Sequence, residues 1–164
     1  MVLLKVKSMT KKIAEIPEYI PRLFVEAWNT RRADEIAALF EENADFVNVV
    51  GIWWESSTAI YEAHEYGLRV IFKDSMLRLG KVKVKLLGSD HAVVHARMRL
   101  SGQTSHGVAA GVRQNLFIFV ARRHGNRWLC VSAQNTDIVP GAETHIRNED
   151  NKLVPVDYRT NPGV

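Results

Sequence analysis

Four long alternating segments in the second half of the chain constrain its fold most. "MLRLGKVKVKLLG" (76–88), "HAVVHARMRLSG" (91–102), "VRQNLFIFVARR" (112–123) and "RWLCVSAQNTDIV" (127–139) follow one another, separated by "SD", by the Gly-rich "GQTSHGVAAG" and by "HGN". A strand sends successive side chains to opposite faces, so alternation with such short breaks predicts consecutive antiparallel strands in a meander. In the second segment an apolar row, Val94, Ala96, Met98 and Leu100, stands back to back with Val93, His95, Arg97 and Arg99.

The first half has a different period. Ile20, Leu23, Phe24, Ala27 and Trp28 recur at helical spacing after Pro17, and Asn29-Thr30 breaks the pattern. A second helix is expected over Ala33–Glu41, with Ile36, Leu39 and Phe40 as its stripe, closed by "ENAD". "DFVNVVG" reads as a short strand. Ser56, Ser57 and Thr58 offer N-cap oxygens to a third helix reaching about Phe72, whose inner stripe is Ile60, His64, Leu68 and Ile71. Helices first and a meander after give an α+β domain over 13–140, three N-terminal helices packed in a curved, mainly antiparallel sheet. Such a sheet curls into a cone whose open end holds a pocket. Residues 1–12 read as a basic N-terminal arm and 141–164 as a polar, irregular C-terminal tail.

Composition narrows the function classes. No apolar run is long enough to span a bilayer, and the lysine-interrupted N-terminus does not read as a secretory signal. The single Cys130 excludes an internal disulfide and fits a reducing, cytoplasmic setting. The net charge of +4 comes from scattered basic residues with no basic stripe among exposed aromatics, so neither nucleic acid nor membrane is an expected partner. There is no GxGxxG after a strand, no GxxxxGK[ST] and no HExxH, and no cofactor or metal is expected. His91 and His95 are four apart, which on a strand separates them by about 13 Å.

The order ααβ-β-α-ββββ, with "LFEENADFVNVVG", then "WW" before "AI…H", then "GNRWLCVSAQNTD", resembles the nuclear transport factor 2-like superfamily over residues 15–138. Within it the chain is similar to the small bacterial SnoaL-like proteins of the SgcJ/EcaC type, although Ser56-Ser57 stands where many of those carry Gly-Arg. The superfamily hosts cyclases, dehydratases, an isomerase and a kinase association domain, so the fold settles no activity. The resemblance to the association domain places a pocket arginine at Arg99 and a polar pocket residue at Asn135. His95, Arg97 and Arg99 would then face the concave side, with Arg113, Asn115, Phe117 and Phe119 on the next strand and Leu129, Val131, Ala133, Asn135 and Asp137 on the last. Alternatively Arg97 and Arg99 lie on an exposed face or pair with Asp45 and Asp137.

Matched to the ketosteroid isomerase of the superfamily, the base position falls on Asn48, the tyrosine donor on Phe24 and the acidic donor near Phe117 and Phe119. An amide takes up no proton at neutral pH, so isomerase chemistry is not expected. The expected ligand is a small organic anion or carbonyl compound, bound and in one reading transformed. Arg99 would supply charge, with Arg97 beside it; Asn48, Asn115 and Asn135 orientation; Trp53 the wall; and His64 and His95 the proton transfer. The rival is a non-catalytic association or ligand-sensing module. A homodimer through the sheet is expected from an outer row of Gln114, Leu116, Ile118 and Val120 beside Val94, Met98 and Leu100, too apolar to leave wet.

Overall fold

A computed structural model describes residues 12–105 and 107–159; the first eleven residues of the expected N-terminal arm and the last five of the tail lie outside them. Helix α1 (Tyr19–Asn29) buries Ile20, Phe24, Ala27 and Trp28, one helical stripe. Pro21 falls in its first turn, where the missing N–H costs no hydrogen bond. Past its end Arg31 adopts φ +60, and its guanidinium donates to the carbonyls of Trp28 and Lys73.

Helix α2 (Ala33–Ala37) is shorter than the sequence suggests, because β1 (Phe40–Val47) already starts at Phe40. The early start has a cause. Glu41, nearly buried, accepts from the Arg122 guanidinium and from His124 Nε2 at 2.7 Å, which fastens the start of β1 to residues two strands away in the sheet. Arg122, and then His124, hold the Glu41 carboxyl below its ordinary range. β2 (Trp53–Trp54) turns back on β1, and α3 (Ser57–Tyr66) follows with Ser56 Oγ capping the Ala59 N–H at 3.1 Å. The helix runs on through a π turn, Gly67–Ile71, in which Phe72 N–H reaches the Gly67 carbonyl.

The meander forms as expected: β3 (Met76–Leu87), β4 (His91–Ser101), the small β5 (Thr104–Ser105) and β6 (Val108–Ala109), then β7 (Arg113–His124) and β8 (Arg127–Asp137). The main sheet has the order β2-β1-β8-β7-β4-β3, antiparallel throughout except where β1 lies parallel to β8. α1 packs on β3 and α3 on β1, which gives the mixed α+β architecture with a curved sheet. Irregularities in register bend it, one of them at Gly80, where a Cβ would come within 3.2 Å of the Arg97 carbonyl oxygen. The segment after Pro140 holds a two-stranded hairpin, β9 (Thr144–Arg147) with β10 (Leu153–Val156), where only irregular chain was expected. No helix among the described residues is long and apolar enough to cross a membrane.

The faces of β4 are the reverse of those expected. Cross-strand partners share a face, and Val94, Ala96, Met98 and Leu100 stand opposite Phe119, Phe117, Asn115 and Arg113. The first three of that row are at most 2% exposed and fill the core. His95, Arg97 and Arg99 therefore face outward with Ile118, Leu116 and Gln114, and both arginines are exposed. The physical reason is plain: the all-apolar row gains from burial, whereas guanidinium groups inside would need counter-charges. Val94, Met98 and Leu100 consequently contribute nothing to the outer surface.

On β8 the expected parity holds only at one end. Val120 pairs with Ser132 but Ala121 with Cys130, so Val131 is an extra residue and the inward set switches across it. Trp128 and Cys130 point inward before the bulge; Ala133, Asn135 and Asp137 share the inner face after it. Cys130 is fully buried, and burial, with the Glu41 charge adding, pushes its thiol up, so it is an inert packed group.

Candidate functional site

The cone holds a cavity of about 120 Å³, open to solvent on one side and bounded by α1, α3 and the inner faces of β1, β4, β7 and β8. That volume admits roughly a single six-membered ring. One side is aromatic: Phe24, Trp28, Phe46, Trp54, Phe72 and Phe117. Phe24 organises the wall, with ring centroids of Phe117 at 5.5 Å, Phe119 at 5.8 Å and Trp28 at 6.2 Å. The Trp28 indole N–H is satisfied by Ser75 Oγ at 3.0 Å, and that hydroxyl donates to the Phe72 carbonyl, so no polar group of this pair is left toward the cavity.

The other side is polar and comes from strand ends. Arg113, Asn115 and Asn135 line it with Asn48 and His64. Asp137, two residues past Asn135 on the same face, accepts from Arg113 Nη2 at 3.0 Å through both oxygens and from Asn115 Nδ2. Arg113 Nη1 donates to Gln103 at 3.2 Å. The cation is thus neutralised by a bidentate partner and held at the rim. Asn48 Oδ1 accepts the N–H groups of Val50 and Ile52, which shapes the turn before β2 and leaves the Nδ2 end of the amide.

His64 sits at the junction of the two sides, buried among Phe46 at 5.5 Å, Phe24 at 5.7 Å and Trp54 at 5.7 Å. Its Nδ1 lies 2.7 Å from the Ile60 carbonyl, which only accepts, so Nδ1 carries the hydrogen and Nε2 an acceptor lone pair. Burial lowers its pKa to about 4, outweighing the Ile60 hydrogen bond, and the ring is neutral at pH 7. It is a weak base and not the near-neutral acid–base group expected of it. At Nε2 it can accept a hydrogen bond or, from a strongly activated donor, a proton.

Of the residues singled out in the sequence, the structure brings His64, Asn48, Asn115 and Asn135 to this cavity. His95, Arg97 and Arg99 lie on the opposite face of the sheet and reach no part of it. Trp53 is 60% exposed, with its indole N–H on Asp45 at 2.7 Å, and its neighbour Trp54 forms the wall instead. Arg113 and Asp137, expected on the concave face but not among the candidate ligand residues, do stand there, and Phe46 joins the wall without having been expected. The signal for the first two was the i, i+2 spacing of Arg113 with Asn115 and of Asn135 with Asp137, two polar pairs on one inward parity of adjacent strands. Among the described residues no group of three His, Cys, Asp or Glu side chains is gathered to hold a metal.

No protein-family model matches the chain, and no curated protein matches it. Solved structures do. A protein with a cystatin-like fold from Caulobacter vibrioides superposes with a TM-score of 0.69 at 22% identity, over 75% of this chain and 87% of that one. A nuclear transport factor 2-like protein with a cystatin-like fold from Novosphingobium aromaticivorans gives 0.64 at 20% identity, over 77% and 81%. A type 2 hexachlorocyclohexane dehydrochlorinase gives 0.66 at 9% identity, over 85% of each chain. At these identities the likeness shows the fold, which is the cystatin-like, nuclear transport factor 2-like α+β fold.

Proposed function

We propose that the cone cavity binds a small, largely apolar, uncharged organic molecule, an alcohol or carbonyl compound of about one ring. The observation that carries this reading is the recessed aromatic wall facing a short polar end whose one cation among the described residues, Arg113, is already neutralised by Asp137. An anionic ligand was expected from Arg99; with Arg99 outside and Arg113 paired, no uncompensated positive charge is available to hold one. His64 Nε2 is the group at which a bound molecule would meet a base, and no carboxylate lines the cavity beside it. That favours binding as the primary role and agrees with the absence of an isomerase base at Asn48. Catalysis in the cavity is the second reading, since a hexachlorocyclohexane dehydrochlorinase shares this fold. We also assign the chain to the SnoaL-like, SgcJ/EcaC-type branch and to a homodimeric state.

Binding is read directly from tryptophan emission, because Trp28 and Trp54 stand in the wall. Saturable quenching by cyclohexanol or cyclohexanone is expected in the millimolar range or tighter. Ala63→Phe, which fills the cavity from α3, should abolish it while leaving the circular dichroism of the fold in place. Equal response in the filled variant would overturn the cavity as the binding site.

A further inference from the structure

Asn135 has a feature that no other polar residue of the cavity shares. Its Oδ1 is buried and has no hydrogen-bond partner among the described residues. Buried acceptors are almost always satisfied, and an exception calls for a donor from outside the chain. Two polar residues of the same cavity turn donors to other acceptors: Asn115 Nδ2 to Asp137, and the Arg113 guanidinium to Asp137 and Gln103. His64 also lines the cavity, and because the Ile60 carbonyl fixes its tautomer, its Nε2 is an acceptor.

We infer that Asn135 is a specificity determinant that selects ligands bearing a hydroxyl or N–H donor over the matched ketone or carboxylate. The inference rests on the ligand-binding reading of this cavity and narrows it. Asn135 lines the cavity, and once its sealed amide turns toward the open space a hydroxyl gives its hydrogen to the orphaned Oδ1. A ketone of the same shape leaves that atom unpaired, and a carboxylate brings negative charge toward two acceptors with no free cation to offset it. Register keeps Asn135 in place: it stands opposite Phe117 on β7, on the inner face established beyond the Val131 bulge.

The test is a matched set of cyclohexanol, cyclohexanone and cyclohexanecarboxylate, titrated by tryptophan emission against the full chain and against Asn135→Leu. One hydrogen bond predicts cyclohexanol binding about tenfold tighter than cyclohexanone, with the carboxylate weakest. In Asn135→Leu the ratio of alcohol to ketone affinity should fall to about one, whatever the absolute affinities. Ketone binding as tightly as alcohol in the unaltered chain would overturn the inference, because it means the amide presents its N–H groups, and would leave the cavity reading standing. A preference that survives in Asn135→Leu would also overturn it, by assigning the selection to another group. No response to any of the uncharged compounds would remove the ligand-binding reading and the inference with it.

Discussion

His64 is the residue whose surroundings change its chemistry most. In the unfolded chain its imidazole titrates near 6.5, and in the folded chain burial lowers this to about 4. Between those values the unfolded state binds more protons, so stability is full above about pH 6.5 and falls as pH drops toward 4, where the folded ring also protonates. The difference corresponds to roughly 3 kcal/mol across the window. Urea midpoints should therefore decline from pH 7.5 to pH 4.5, and His64→Leu should flatten the decline. An equally steep fall in that variant would place the sensitivity elsewhere. That His64 lies on an apolar stripe was legible from its spacing with Ile60 and Leu68. Its low basicity was not, because it depends on Phe46 and Trp54, which arrive from other elements.

At the scale of elements, the sequence conveys period well and phase poorly. Alternation locates β4 and β7 and splits each into two rows, and the resemblance puts Arg113, Asn115 and Phe117 inward, as they are; period alone does not say which row of β4 faces the helices. Choosing the basic row by likeness to another domain inverted the strand. The chemistry of the rows themselves, four apolar residues against two arginines and a histidine, pointed the other way. Trp53 and Trp54 posed the same problem in a strand too short to show a period. On β8 the obstacle was the bulge, since one extra residue reverses parity without any Gly or Pro to announce it. Deleting Val131 tests this. With Val131 gone, Cys130 adjoins Ser132 and a continuous ladder keeps Trp128, Cys130, Ala133 and Asn135 all on the inner face, so the thermal midpoint should move by only a few degrees. A deletion variant melting about ten degrees or more below the full chain would show that Val131 is not simply an extra residue between two ladders of the same inner face.

For the whole molecule, the outer surface of the sheet is divided by charge. Arg78 stands directly opposite Arg99 and Lys83 opposite His95, next to the half-buried row Leu116, Ile118 and Val120 and, beyond it, Ser132, Gln134 and Thr136. Like charges facing across strands are unfavourable. In the proposed homodimer, a two-fold axis parallel to the strands lays the cations of β4 over the polar side chains of the second copy's β8 and stacks the apolar rows. Light scattering should then report twice the 18.6 kDa chain mass, and Leu116→Glu should reduce it to that of one chain. A single-chain mass for the unaltered protein at micromolar concentration would remove the proposal.

The parallel pairing of β1 with β8 has a consequence for the order in which the molecule can assemble. Phe46 finds its strand partner at Ala133, so the last strand of the meander must slot between β7 and the first strand of the chain. During synthesis that position stays open until the residues of β8 have emerged, and the aromatic side chains of β1 and β7 wait without their neighbour. Closing so long a loop is slow compared with forming the local hairpins β3–β4 and β7–β8. The step that completes the sheet is thus also the step that creates the ligand cavity, and nascent chains short of β8 are the ones a chaperone would find with an exposed apolar cleft.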